Sequence, residues 1–154
     1  FCSTLPRARQ TADHIASALG LAPQALPELC EWESGNDALG MPAFMKSWRE
    51  LSPAQRLDHR FHPGCETMNE FTDRVQSKLS ELLGKFDQKT IVLVAHGGIV
   101  EVAFFYFLGI DPKHRKGGYP AAGHTSITLW RRQDANGEWV QEYANDLHHL
   151  RSSA

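Results

Sequence analysis

The feature that most constrains the fold of this chain is the continuously apolar, β-branched segment 90–95. A run of this kind suits a strand that is buried on both faces, as in a parallel sheet covered by helices. An amphipathic helix pattern precedes it over 66–86, and an apolar helix follows it from Gly97 to near Gly109. We therefore predict a three-layer α/β/α sandwich with a mostly parallel central sheet.

The other periodic segments predict further helices and a C-terminal hairpin. Pro6 suits the first turn of a helix that ends before Gly20, and apolar positions recur at helical spacing across 41–51. Asn136-Gly137 is a strong hairpin signal, because both residues tolerate a positive φ angle. The expected strands are 25–29, 125–132 and 138–144, and the expected loops or mixed segments are 31–36 and 52–64.

Segment 90–95 also indicates that part of the sheet lies outside this chain. A buried central strand needs neighbours on both sides, because its backbone N–H and C=O groups must be paired. Phe1-Cys2-Ser3 reads like the end of a strand, and no Met precedes it. We expect a single domain over 1–154 that is truncated at its N-terminus, with the missing strands upstream of Phe1.

The composition excludes several classes of protein. Sixteen Lys plus Arg against eighteen Asp plus Glu give a net charge of -2, which argues against a nucleic-acid binder. Three widely spaced cysteines suggest neither a disulfide framework nor a metal site, so we expect a cytoplasmic protein without a metal. The most apolar run, 99–108, is interrupted by Glu101 and is too short to span a membrane.

The strongest local signal for function is Val94-Ala95-His96-Gly97-Gly98. It places a histidine at the carboxyl end of the predicted strand, at the edge where open α/β sheets bind ligands. The two glycines let a ligand approach the backbone, and the following helix N-terminus offers free N–H groups to an anion. His96 by itself leaves two interpretations open, a phosphate-binding residue or a histidine that caps a tight turn.

Two further segments contain candidate site residues. Arg7 lies in the first turn of a helix, where the helix dipole disfavours a cation, and this position is easier to explain if Arg7 binds an anion. The alternative is a surface arginine, which we expect of Arg9. Glu28, Glu31 and Glu33 lie close together in the sequence, and composition alone favours the interpretation that all three are solvated loop carboxylates.

Six segments form a pattern when they are taken together. They are Ser3-Thr4-Leu5-Pro6-Arg7-Ala8-Arg9-Gln10-Thr11-Ala12, Leu29-Cys30-Glu31 with Gly35, Pro63-Gly64-Cys65-Glu66-Thr67, Ala95-His96-Gly97-Gly98, His124-Thr125-Ser126-Ile127-Thr128, and Asn145-Asp146 with His149-Leu150. In this order they resemble the histidine phosphatase superfamily, in its phosphoglycerate-mutase-like branch. Any one segment is weak, but the six in family order are specific and cover nearly the whole chain.

The resemblance implies a phosphomonoesterase that works through phosphohistidine and needs no cofactor. Arg7 would hold the phosphoryl oxygens, His96 would donate a hydrogen bond to them, and Glu31 would act as general acid and base. The expected ligand is a small phosphorylated metabolite or a phosphate ion. The residues expected to contact the substrate are Ser3, Gly97 and His124. For His124 a surface position at a strand end is an equal alternative.

The chain departs from the family pattern at the nucleophile. The family's Arg-His-Gly segment, which carries the attacking histidine, does not occur in the sequence. A domain without its central strand could not bury its sheet, so we expect about fifty residues upstream of Phe1, including that segment. A protein that had lost the nucleophile would instead be a non-catalytic phosphate-binding or regulatory domain.

Two features favour a phosphatase over a phosphoglycerate mutase. Gly97 follows His96 where acid-phosphatase relatives carry aspartate, so the acid role falls to Glu31. True mutases carry a long insertion after the Glu31 segment, but only about thirty residues separate Glu31 from Pro63 in this chain. The substrate cannot be read from these motifs. We expect no nucleic-acid or membrane partner, and a homodimer stays open.

Overall fold

The computed structural model describes residues 1–112, 118–133 and 137–153, and it shows an α/β fold. The α-helices are α1 (Pro6–Leu19), α2 (Asn36–Leu39), α3 (Met41–Glu50), α4 (Pro53–Asp58), α5 (Met68–Lys85) and α6 (Gly97–Phe107). The strands are β1 (Cys2–Ser3), β2 (Ala25–Leu26), β3 (Ile127–Arg132) and β4 (Trp139–Asp146), and 3-10 turns cover Pro27–Leu29 and His148–Ser153.

The parallel pairings are centred on β1. Cys2 pairs in parallel with Ala25 of β2 on one side and with Val94 on the other. The Ser3 N–H donates to the Val94 carbonyl at 3.0 Å, and the Val94 N–H donates to the Phe1 carbonyl at 3.0 Å. These bonds place the start of α1 and the start of α6 at the same edge, because both helices follow paired segments.

Segment 90–95 is only partly buried within this chain. The segment is extended and follows β1, but Val92 is 43% exposed. Among the described residues β1 is the sole pairing partner of this segment.

The predicted bounds of α1 are confirmed. Pro6 stands in the first turn and Gly20 ends the helix in the left-handed conformation, with φ of 65°. Its buried face consists of three alanines, whose small side chains let the helix lie close to the sheet. These are Ala8, Ala12 and Ala16. Ile15 and Leu19, which the apolar pattern also included, are exposed.

The hydrophobic core lies between α5, α6 and the turn before the Glu31 loop. Helix α5 begins with a capping box, in which Thr67 accepts from the Glu70 N–H and the Glu70 carboxylate accepts from the Thr67 N–H. Its apolar stripe faces α6, as the spacing predicts. The buried cluster comprises Leu29, Phe71, Val75, Leu79, Ile99 and Val102.

Two predicted segments differ from the structure for local reasons. The strand expected over 25–29 stops at Leu26, because Pro27 has no N–H to continue a ladder. Within the expected loop 52–64, α4 forms because Ser52 and Gln55 build a capping box ahead of it.

The C-terminal strands form an antiparallel pair, as predicted. Strand β3 starts at Ile127 because Thr125 adopts a φ of 61°, which an extended ladder does not accommodate. Asn136 of the predicted hairpin turn lies outside the described residues, whereas Gly137 has a φ of 88°. Within the described part of the chain, no helix is both long and apolar enough to cross a membrane.

Candidate active site

Three segments that are distant in sequence meet at the edge of the parallel pairings. They are the start of α1 with Arg7, the loop after the first 3-10 turn with Glu31, and the start of α6 with His96. The charges of Arg7 and Glu31 both act on the ring of His96, so the three side chains lie within electrostatic reach of one another. We refer to Arg7, Glu31 and His96 as the charged cluster.

His96 occupies the N-cap position of α6 in an extended conformation. Burial lowers the pKa of its ring below the ordinary value of 6.5, the positive charge of Arg7 lowers it further, and Glu31 opposes both. Its Nε2 atom is buried and has no hydrogen-bond partner among the described residues. An unpaired buried ring nitrogen beside a cation suits a hydrogen bond to an anionic ligand.

Glu31 is tied to the start of α6. Its Oε1 accepts from the Trp32 N–H at 3.0 Å, and its Oε2 accepts from the Gly98 N–H at 3.2 Å. Glycine is required at 98, because a Cβ there would overlap Glu31 Oε1 and lie 2.9 Å from Phe71 Cζ. The second glycine of the His-Gly-Gly motif therefore makes room for the carboxylate.

Arg7 extends from the first turn of α1 and is exposed. No acidic residue stands in this turn to offset the helix dipole. Its guanidinium group forms no hydrogen bond or ion pair with any side chain in 1–112, 118–133 or 137–153. The cation is therefore available to a ligand beside His96.

Ser3 is fully buried, and its hydroxyl group is engaged within the chain. The oxygen accepts from the Leu5 N–H at 3.1 Å, and the hydroxyl donates to Cys30 Sγ at 3.4 Å. These contacts set the entry into α1 and connect it to the Glu31 loop. The role of Ser3 in substrate binding stays a prediction.

Gly97 begins α6, and the segment that leads to His124 passes close to it. Gly97 is exposed, and a Cβ at this position would lie 3.9 Å from Ala122 Cβ. The Gly123 N–H donates to Asn145 Oδ1 at 2.7 Å, which ties the turn before β3 to strand β4. His124 is exposed in this turn, ahead of the strand.

Sequence reasoning missed Arg74 of α5, which holds the Glu31 loop. Its Nη1 donates to the carbonyl groups of Glu28 at 2.6 Å and Cys30 at 3.2 Å. Its Nη2 and Nε bind the Glu66 carboxylate at 2.5 and 3.1 Å, so the pair is bidentate. The side chains of Arg74 and Glu66 are only 24% and 19% exposed, which protects the pair from solvent.

Glu66 binds the same loop from the other end. Glu66 Oε1 accepts from the Glu33 N–H at 3.1 Å, and the Glu66 N–H donates to the Glu33 carbonyl at 3.1 Å. The Glu66 carbonyl accepts from Trp32 Nε1 at 3.1 Å. Glu31 is therefore flanked by bonds on both sides. The motif containing Glu66 had signalled this position, but nothing in the sequence signalled its partner Arg74.

A cavity of about 350 Å³ opens beside Glu31 and Gly98. Its lining combines aromatic and other apolar side chains with four polar ones, of which Glu31 is one. The lining is completed by Trp32, Ser34, Asn36, Met41, Phe44, Met68, Phe71 and Glu101. The ring of Trp32 belongs to a set of mutually packed rings, Trp32, Phe44, Trp48 and Phe61, which we call the aromatic cluster.

The described residues contain no group of three or more His, Cys, Asp or Glu side chains that could hold a metal ion. All three cysteines are free thiols. Burial alone would raise the pKa of Cys30, but hydrogen bonds from the Ser3 and Thr4 hydroxyl groups lower it overall.

Comparison with known proteins identifies the family. The model of the histidine phosphatase superfamily, branch 1, matches residues 1–146. The chain therefore belongs to this superfamily and is a hydrolase of the histidine phosphatase type. The uncharacterized phosphatase PhoE of Bacillus subtilis (strain 168) is 28% identical over 138 residues, which are 87% of this chain and 67% of that protein.

Solved structures show the same fold. The α-ribazole phosphatase of Shigella flexneri has a TM-score of 0.71 and 19% identity, over 94% of this chain and 71% of that one. A mycobacterial glucosyl-3-phosphoglycerate phosphatase has a TM-score of 0.67 and 21% identity, over 94% of this chain and 75% of that one. Structures of the mycobacterial enzyme also exist with inorganic phosphate and with VO3.

Proposed function

We propose that the full-length protein hydrolyses phosphomonoesters through a phosphohistidine intermediate. The observation that carries this proposal is the charged cluster, in which the buried, unpaired Nε2 of His96 lies within electrostatic reach of Arg7 and Glu31. Family membership supports the reaction class, and the phosphate and VO3 complexes of the mycobacterial relative support a phosphoryl ligand.

In the first step a histidine of an upstream Arg-His-Gly segment attacks phosphorus, and the bond from phosphorus to the ester oxygen breaks. Arg7 binds the phosphoryl oxygens through its planar guanidinium group, and His96 Nε2 donates a hydrogen bond to them. The backbone N–H of Gly97, at the first residue of α6, adds a further donor at the positive end of the helix dipole. These groups stabilise the charge that develops in the transition state.

Glu31 moves the proton. In its protonated form it donates to the leaving alkoxide, and in the second step it accepts a proton from the water that breaks the phosphorus–nitrogen bond. The contacts from Arg74 and Glu66 to its loop fix where the carboxyl group points. Gly97 cannot supply a carboxyl group next to His96, which leaves this role to Glu31.

His96 begins the cycle as a neutral ring at pH 7. Burial and Arg7 hold the pKa of His96 below 6.5, so the proton on Nε2 is a hydrogen-bond donor without a full positive charge. A bound phosphoryl dianion favours the protonated ring and so raises its pKa. His96 can therefore respond to substrate binding by taking up charge.

The test is an assay of the full-length protein with 4-nitrophenyl phosphate and a panel of phosphorylated metabolites, together with quenching in base to trap a labelled phosphoenzyme. We expect release of inorganic phosphate and a phosphoenzyme that is labile in acid and stable in base, as phosphohistidine is. Inorganic phosphate binding without any turnover would overturn the proposal in favour of a regulatory phosphate-binding domain. Transfer between phosphoglycerates without phosphate release would overturn it in favour of a mutase.

A further inference from the structure

We propose that Trp32 is a positioning residue for the proton transfer assigned to Glu31. This inference rests on the proposed function and adds to it the residue that sets the direction of the Glu31 carboxyl group. It is drawn from three sets of contacts, which Trp32 makes through its backbone N–H, its indole N–H and its ring.

The backbone N–H of Trp32 holds one oxygen of the Glu31 carboxylate. It donates to Oε1 at 3.0 Å, while the Gly98 N–H donates to Oε2 at 3.2 Å. Hydrogen bonds weaken steeply away from linear geometry, so a carboxylate held at both oxygens is restricted in its rotation. The direction of the Glu31 carboxyl group therefore depends on how the peptide between Glu31 and Trp32 is oriented.

The indole N–H anchors the same residue to a second segment of the chain. Trp32 Nε1 donates to the Glu66 carbonyl at 3.1 Å. Glu66 is itself held, because its N–H donates to the Glu33 carbonyl and its carboxylate binds two nitrogens of Arg74. The indole of Trp32 is therefore attached to backbone that other contacts already fix.

The ring of Trp32 is enclosed by the other members of the aromatic cluster. Its centroid lies 6.3, 5.9 and 6.1 Å from those of Phe44, Trp48 and Phe61, in edge-to-face arrangements. Such pairs favour defined relative orientations. Because the rotamer of a side chain is coupled to its backbone angles, a ring held in this way also restricts the peptide that faces Glu31.

This arrangement bears on proton transfer more than on phosphoryl binding. A general acid must lie within hydrogen-bond reach of the leaving oxygen, so a small rotation of the Glu31 carboxyl group removes its effect. Arg7 and His96 bind the phosphoryl oxygens in the proposed function. Among the described residues, Trp32 forms no hydrogen bond with either of them. Loss of the indole N–H should therefore impair the acid step and spare the phosphoryl site.

The experiment measures Trp32→Phe and wild type, both full-length, on benzyl phosphate and 4-nitrophenyl phosphate. Phenylalanine keeps an aromatic ring but has no N–H for the Glu66 carbonyl. Benzyl alkoxide needs a proton to leave and nitrophenolate does not, so kcat/KM should fall about tenfold for benzyl phosphate and less than about twofold for 4-nitrophenyl phosphate. Trp32 also lines the cavity, and the two esters carry rings of the same size, so lost ring contact would affect both alike.

The matched control is Trp139→Phe. It removes an indole N–H from another packed ring, on β4, whose centroid lies 4.5 Å from that of Phe107. Trp139 is not among the residues that line the cavity. Turnover of both esters should be retained in this variant.

A double substitution separates positioning from general support of the fold. In the Glu31→Gln background, Trp32→Phe should cause no further loss on benzyl phosphate, because the acid that Trp32 positions is already absent. A further loss of about tenfold there would overturn the inference. Urea unfolding establishes that each variant is folded under assay conditions. Trp32→Tyr, which also lacks the indole N–H, takes the place of Trp32→Phe if the latter does not fold.

A measurement on the unsubstituted protein does not depend on the folding of any Trp32 variant. In an NMR titration, the backbone amide proton of Trp32 should shift as the Glu31 carboxyl group takes up its proton, because an ionised acceptor makes the stronger hydrogen bond. The shift should be absent in Glu31→Gln. A Trp32 amide that does not respond to Glu31 would overturn the inference.

The outcomes distinguish this inference from the function on which it rests. If the wild-type protein hydrolyses no ester, the proposed function fails, and the role of Trp32 fails with it. If both esters are hydrolysed and Trp32→Phe lowers them equally, the function stands and the positioning role of Trp32 is wrong.

Discussion

The charged cluster and the aromatic cluster meet in the loop where Trp32 follows Glu31, and they are built in different ways. The charged cluster joins side chains from three separate segments, and backbone hydrogen bonds hold those segments together. The aromatic cluster comes mostly from a single stretch, 44–61, and side-chain packing holds it. The positions of the charged residues therefore depend on backbone hydrogen bonds, whereas the shape of the cavity depends on how side chains pack.

This contrast predicts two kinds of response to mutation. A change in the charged cluster should alter turnover of every phosphate ester, because all esters share the phosphoryl group. A change in the aromatic cluster should alter stability or the preference among leaving groups. The predictions below test this division, in order of decreasing effect.

Arg7→Ala and His96→Ala should each lower kcat/KM by about a hundredfold or more, which is the scale for losing one transition-state donor. The loss should be similar for 4-nitrophenyl phosphate and for an alkyl phosphate, because both residues bind the phosphoryl group. Steady-state kinetics of the full-length protein would measure it. Arg9→Ala, at the neighbouring exposed arginine, is the control and should retain activity.

Glu31→Gln should reduce turnover of an alkyl phosphate by about fiftyfold and that of 4-nitrophenyl phosphate much less. Nitrophenolate leaves without a proton, whereas an alkoxide needs one. The comparison of the two substrates in a single variant measures the acid role. Equal losses on both would contradict it.

Gly98→Ala should destabilise the protein by about 2 kcal/mol and displace Glu31, because the new methyl group has no room beside the Glu31 carboxylate and Phe71. Turnover of alkyl phosphates should fall with it by about tenfold. Gly84→Ala is the matched control, since nothing lies within 4 Å of a Cβ at that helical position. Urea unfolding should show Gly84→Ala to be slightly more stable than wild type.

Substitutions of two arginines allow a direct comparison of the charged cluster with the aromatic cluster. Arg74→Ala should cost about 2 kcal/mol of unfolding free energy and also reduce turnover, because the Glu31 loop loses its bonds to α5. Arg56 donates to the Trp48 carbonyl at 2.8 Å and lies 4.6 Å from the Trp48 ring centroid. Arg56→Ala should cost about 1 kcal/mol and leave turnover unchanged. A loss of activity in Arg56→Ala would contradict the expectation that changes at the aromatic cluster leave turnover unaffected.

The smallest effect concerns pH. The pKa of His96 is held below 6.5 by burial and then by Arg7, so NMR titration should show a midpoint below that value. Arg7→Ala should raise the midpoint, and Glu31→Gln should lower it further. Because the unfolded chain binds more protons between the two pKa values, His96 reduces stability as the pH falls below 6.5. If neither substitution changes the His96 midpoint, the charges of Arg7 and Glu31 do not act on the His96 ring.

Much of the fold was predictable because it follows from local patterns. The helices α1, α5 and α6 were predicted with ends close to those observed, since proline, glycine and apolar spacing act within a few residues. Helix α4 was missed because a polar six-residue helix has no apolar stripe. The neighbours of segment 90–95 could not be predicted in the same way, because an apolar run does not specify which strands pair with it.

The sequence by itself indicated the family and predicted Arg7, Glu31 and His96 as site residues and α1 and α6 as helices, because motif order and apolar spacing can be read along the chain. Their roles stay proposals until they are measured. Only the tertiary structure decided that Glu31 bonds to Gly98, 67 positions away, that Arg74 holds its loop, and that Glu101 faces the same cavity. These contacts depend on how distant segments pack, and packing is set by the whole molecule.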